Sequence, residues 1–155
     1  MVRLTRAGEY AVRGMVHLAG KPKNELILIA EIARSEGVSV SFLAKIFQKL
    51  SKAGLIDSQR GATGGVSVGK VPSEISLKLI IEAIEGPFAL NRCLLIEDRC
   101  VRADRCPISS VWRKAQSRML EVLEEATLDQ FAVLPELSPA GEGDSATVPQ
   151  SSRSV

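Results

Sequence analysis

The sequence predicts a mainly α-helical fold carrying one small β-hairpin, on three observations. Two helical stretches are separated by a glycine turn within residues 29–53. A glycine-rich stretch between two β-prone runs follows at 55–68, and a long amphipathic helix opens at Pro107. Helix, tight turn, helix and hairpin in that order make a winged helix-turn-helix.

The first helix is expected from Arg6 to Leu18. Thr5 serves as its N-cap, Ala7, Ala11, Met15 and Leu18 recur at helical spacing, and Gly20, Pro22 and Asn24 end it. A short second helix spans Ile29 to Ser35 and stops at Gly37. Ser39 then caps a third helix through Ala53, closed by Gly54. In that helix Leu43, Ile46, Phe47 and Leu50 follow the i, i+3, i+4, i+7 rule and form a buried stripe, leaving Ser41, Lys45, Lys49 and Lys52 opposite. Leu55 to Arg60 and Val66 to Val68 flank Gly61-Ala62-Thr63-Gly64-Gly65 as a hairpin wing. A fourth helix runs from Ser76 to Glu85 and ends at Gly86-Pro87, a loop follows to Cys106, and Pro107 suits the first turn of a last helix reaching Ala126. Its apolar residues Ile108, Trp112, Ala115, Met119, Val122 and Ala126 alternate in steps of 4 and 3, a seam suited to a facing helix of a second copy.

Charge is segregated along the chain. Residues 1–70 hold 11 Lys/Arg against 5 Asp/Glu, for +6, and residues 71–155 hold 9 against 13, for −4. Only the front half therefore seeks a polyanion. Ser39, Ser41, Lys45 and Lys49 can meet a duplex, the hydroxyls and helix N-terminus reaching phosphates or base edges and the lysines neutralising phosphate. A lysine row is more often a solvated face, but here a wing follows at once and places Arg60 beside a flexible loop, where an arginine can enter a narrow minor groove. We therefore divide the chain into a winged helix-turn-helix DNA-binding domain at 1–72, a connecting helix and cysteine loop at 73–106, a dimerisation helix at 107–132 and a disordered tail at 133–155.

Other classes are disfavoured. Gly64, Gly69 and Lys70 match part of a phosphate-binding loop, but Val71 replaces the metal-binding hydroxyl and Pro72 opposes the required helix. No nucleophile–histidine pair supports an enzyme. No apolar run approaches a membrane span and no signal peptide is apparent, so a cytoplasmic protein with reduced thiols is expected.

The three cysteines, Cys93, Cys100 and Cys106, fall within fourteen residues and have no fourth partner. Their C-x6-C-x5-C spacing lacks the paired knuckles of structural zinc sites, and an odd count leaves a thiol over in any intrachain disulfide scheme. Arg92, Arg99, Arg102 and Arg105 could offset an anionic centre, although Glu97, Asp98 and Asp104 already supply local partners. Spacing alone leaves an iron–sulfur cluster level with zinc, a thiol switch or burial.

The chain resembles the Rrf family of bacterial winged-helix iron–sulfur transcription regulators. The likeness rests on Arg3-Leu4-Thr5 with Glu9-Tyr10-Ala11, Leu50 through Gly54-Leu55, the wing Arg60 to Gly65, the three cysteines, and Ser109 to Arg113 containing Trp112. It covers residues 1–132. The resemblance implies a homodimer joined through the long helices, a palindromic double-stranded DNA operator, and a two-iron or four-iron cluster that senses iron–sulfur status, oxidants or nitric oxide. It implies Ser39, Ser41 and Lys45 as recognition-helix contacts and Arg60 as the wing contact. Two departures stand out. The first cysteine gap is six residues where five is common, and Ser109 occupies the place of a histidine found in the IscR-like branch. An acidic ligand in the NsrR-like branch matches Glu9, which becomes the candidate fourth ligand; locally, Glu9 and Arg13 could instead form an i, i+4 ion pair. His17, the only histidine, reads as a packed or surface residue. The expectation is a repressor gated by a cluster. The alternatives are a cluster-free relative whose cysteines bind zinc or switch by oxidation, and a winged-helix module for protein contacts or electron transfer.

Overall fold

The computed structural model describes residues 4–94, 100–102 and 105–132. Arg3, Glu97, Asp98, Arg99, Asp104, the Arg92 side chain and the tail at 133–155 lie outside the described residues. Helix α1 (Arg6–Ala19) begins at Thr5, whose hydroxyl accepts from Gly8 N at 3.2 Å. Helix α2 (Ile29–Ser35) is followed by Gly37 at φ +65°, a left-handed position that reverses the chain into Ser39 without the strain a Cβ would bring. Helix α3 (Val40–Lys52) is capped by Ser39, which accepts from Phe42 N at 3.3 Å.

The stripe read from periodicity forms the floor of the core. Leu43, Ile46, Phe47 and Leu50 are all buried, beneath Ala11, Met15 and Leu18 of α1. The two helices cross closely: a Cβ on Gly14 would lie 2.7 Å from the Phe47 ring. Only glycine permits that approach.

Strands β1 (Ile56–Gln59) and β2 (Gly65–Val68) pair antiparallel, from Ile56 opposite Val68 to Gln59 opposite Gly65. The wing is also tied inward. Ile27, just before α2, exchanges two backbone hydrogen bonds of 2.9 Å with Val66, and a Cβ on Gly65 would crowd the Ile27 carbonyl at 2.8 Å. The segment 21–28, left without structure by the sequence reading, thus braces the outer edge of β2 close to the wing tip.

Helix α4 (Leu77–Glu85), capped by Ser76, packs on α1 and α3 and contributes Ile80 and Ile84 to the same apolar cluster. The core is therefore continuous across the boundary expected at residue 72. Helix α5 (Ser109–Glu125) starts two residues after Pro107 and lies against α4, joined by a 2.8 Å ion pair between Lys78 and Glu124. Beyond α5 the chain returns to the core: Leu77 N donates to Ala126 O at 2.9 Å, Leu128 N donates to Ile75 O at 2.8 Å, and Leu128 is wholly buried. A short 3-10 turn, Leu128–Phe131, packs on α1. Among the described residues no helix is long and apolar enough to cross a membrane.

Candidate nucleic-acid interface and thiol segment

The outer surface of α3 carries the first group of candidate residues. Ser39, Ser41 and Lys45 are exposed, and the two hydroxyls stand 3.4 Å apart at the helix N-terminus, where the unpaired amides carry partial positive charge. Helical spacing puts Gln48 and Lys52, both exposed, on the same face as Ser41 and Lys45. Lys49 departs from it. Its ammonium donates to the Ile84 carbonyl at 3.3 Å, which satisfies the carboxyl end of α4 and turns the charge toward the protein. Lys49, although exposed, thus also braces α4.

Arg60 is exposed at the start of the wing tip, where Gly61 has φ +112° and Gly64 N closes the turn onto Gly61 O at 3.0 Å. A Cβ on Gly64 would collide with the Gln59 carbonyl, so the tip depends on glycine to fold this tightly. The structure therefore sets an arginine on a compact hairpin whose second strand is anchored near the tip through Ile27.

A cluster that sequence reading did not assemble joins α1 to the start of α3. Tyr10 and Phe42 meet edge to face with centroids 5.8 Å apart. Arg6 lies 5.6 Å from the Tyr10 centroid and 5.8 Å from Phe42, and Arg13 lies 5.0 Å from Tyr10. Such cation–π contacts contribute about 0.5–1 kcal/mol at exposed sites. Arg13 is ion-paired to Glu36 at 2.7 Å, while Glu9 stands 3.8 Å from Arg13 with 60% of its side chain exposed. Glu9 is thus a lightly held carboxylate.

The thiol segment is less organised. All three cysteines are free; Cys93 and Cys106 are half-buried and Cys100 is exposed. Among the described residues no group of three or more His, Cys, Asp and Glu is gathered to hold a metal, so one chain does not bring Cys93, Cys100, Cys106 and Glu9 together. Two anchors bracket the segment. Leu90 N donates to Gln116 Oε1 of α5 at 3.0 Å, fixing the chain just before Cys93. Cys106 O accepts from Ser109 N at 3.1 Å, which seats the third cysteine at the N-terminus of α5. Ser109 is buried and accepts from Arg113 at 3.3 Å, so it is committed locally. His17 is half-buried, with Nε2 enclosed and unpartnered among the described residues.

A further link, between residues 80 apart, had no local signal. Glu85 Oε1 accepts from Thr5 N at 2.8 Å and from Thr5 Oγ at 2.9 Å, and Gly8 leaves room for that carboxylate. The last residue of α4, which leads into the thiol segment, thereby caps the first turn of α1.

Comparisons with known proteins agree with this architecture. A family model described as Rrf2, iron-dependent transcriptional regulator, matches residues 4–133. The chain is 35% identical over 130 residues to the HTH-type transcriptional regulator IscR of Pectobacterium carotovorum subsp. carotovorum, covering 84% of this chain and 79% of that protein. It is 35% identical over 131 residues to the HTH-type transcriptional regulator NsrR of Bacillus licheniformis, covering 84% and 92%. Among solved structures it is similar to CymR, the global cysteine regulator of B. subtilis, with 30% identity, a TM-score of 0.70, and coverage of 85% and 97%. The chain belongs to the Rrf2 family and is a DNA-binding transcription regulator, not an enzyme.

Proposed function

We propose that the protein works in the cytoplasm as a homodimeric repressor on a palindromic operator, its affinity set by an iron–sulfur cluster. The observation that carries this reading is the state of α5. In a 17-residue helix only Ser109 is buried, while Val111 and Val122 are 62% and 64% exposed, Trp112 joins them on the surface, and Ile108, immediately before the helix, is 55% exposed. So much apolar surface on one helix fits an interface with a second copy. The seam begins two residues after Cys106, so dimerisation would set the thiol segment beside the partner molecule.

The donor set suits the cofactor by chemistry. Three thiols supply the ligands iron–sulfur clusters prefer, and such centres accept a fourth ligand of another type. Cys93, Cys100 and Cys106 would hold it with Glu9 from the second copy, the cluster supplying a redox-sensitive anionic centre. Glu9 can leave its present position cheaply, because an exposed pair at 3.8 Å contributes at most about 1 kcal/mol and Arg13 keeps Glu36. Glu9 sits in the first turn of α1, which packs on α3. Ligand exchange there would alter how the two recognition helices are held. Ser39, Ser41, Lys45 and Arg60 would make the DNA contacts.

Anaerobic purification with iron and sulfide analysis tests this reading. Wild type should carry both, and Glu9→Ala should give a more labile centre with a changed absorption spectrum. A second reading, a cluster-free thiol switch, draws support from the lack of any gathered ligand group in the described residues. It predicts iron-free protein whose operator affinity responds to mild oxidation.

A further inference from the structure

Two arginines of α1 flank the same aromatic residue and differ in one respect. Arg13, 5.0 Å from the Tyr10 centroid, is neutralised by Glu36 at 2.7 Å. Arg6 stands 5.6 Å from Tyr10 and 5.8 Å from Phe42, is exposed, and has no carboxylate partner among the described residues. Phe42 belongs to the first turn of α3, and its amide donates to the Ser39 hydroxyl, itself 3.4 Å from that of Ser41. The free guanidinium therefore lies against a side chain from the first turn of the recognition helix, the residue that follows Ser41 in the chain.

We propose that Arg6 is a phosphate-contacting residue of the DNA interface, held in place by Tyr10 and Phe42, so that the contact surface runs from α3 onto the start of α1. This rests on the DNA-binding activity and is independent of the cluster. A guanidinium held against aromatic rings keeps its N–H edge for a bidentate contact with a phosphate. Holding it there before DNA arrives reduces the side-chain freedom lost on binding. Arg13 also lies against Tyr10, but Glu36 has already taken its charge.

Arginine at position 6 could instead serve only to pack α1 on α3. Salt dependence separates the two roles, because each phosphate neutralised releases counterions. Binding would be measured as a function of salt for wild type, Arg6→Gln, Arg6→Lys and Arg13→Gln. The probes are a labelled duplex selected by wild type from a random-sequence pool and an unrelated duplex of equal length, with thermal unfolding followed alongside. Arg6→Gln should weaken both duplexes by a similar factor and flatten the slope of log K against log salt by about 0.9 per bound subunit. Arg6→Lys, which keeps the charge, should restore most of that slope, and Arg13→Gln should leave it at the wild-type value. A wild-type slope for Arg6→Gln, or a lysine variant as impaired as the glutamine one, would overturn the assignment. A wild-type chain that enriches no duplex from the pool would defeat the DNA reading itself, a result distinguishable from either.

Discussion

The winged core and the thiol–α5 region are built to different degrees of completion within one chain. In the core, Met15, Leu43, Phe47, Leu50, Ile80 and Leu128 close on one another, and each helix brings its apolar face to that centre. In the second region the cysteines are ungathered, α5 turns Val111, Trp112 and Val122 outward, and Ile108 just before it is also exposed. Both regions carry apolar or ligand-forming side chains at regular spacing. Only the first finds its partners locally, and the second has the character of an element finished by another molecule.

That contrast can be broken from either side. Phe47→Ala removes the ring that fills the α1–α3 crossing, and should cost about 3–5 kcal/mol, enough to unfold much of a marginal domain. Denaturant titration measures it, and a cost under 1 kcal/mol would mean that the core is not closed as described. Val122→Asp tests the other side. It should leave the unfolding transition nearly intact while converting the proposed dimer to monomers in sedimentation, and should weaken operator binding by about a hundredfold through lost bivalency. Arg60→Ala should reduce operator affinity by about tenfold, the scale of one or two charge-assisted contacts, with the fold unchanged. An unaltered affinity would remove the wing from the interface.

The smallest expected effect concerns the joint between the regions. Glu124 raises the pKa of Lys78, first through their hydrogen bond and then through its charge. A lysine whose folded pKa is raised contributes stability that is complete below its unfolded pKa and disappears as pH rises through the folded value. Glu124→Gln should therefore lower Tm slightly at neutral pH and make no difference at pH well above the lysine range. A larger loss at alkaline than at neutral pH would contradict that assignment.

Much of the core was legible because its determinants are local. Thr5, Ser39 and Ser76 cap the helices they precede, Gly37 and Gly54 take positive φ, and the α3 stripe is buried as its periodicity required. What escaped depends on partners far apart in sequence. The strand-like pairing of Ile27 with Val66, the return of Leu128 to the core and the Thr5–Glu85 hydrogen bonds have no signature in either segment alone. The Lys49 contact with α4 escaped for a related reason. Helical spacing gives a side chain's direction to within a turn, but the Ile84 carbonyl at the end of α4 decides where the ammonium goes. At the thiol segment the donor types were legible and their assembly was not, since periodicity says nothing about loop closure.

A centre held by Cys93, Cys100 and Cys106 is proposed to control DNA affinity. It is tested most directly by preparing the protein without air, measuring iron, sulfide and operator affinity on one sample, and repeating the binding after the iron is chelated away. Stoichiometric iron and sulfide are expected, with an affinity that changes at least tenfold (about 1.4 kcal/mol) when they are lost. Protein that is free of iron as isolated, or that binds its operator equally well before and after chelation, would contradict it.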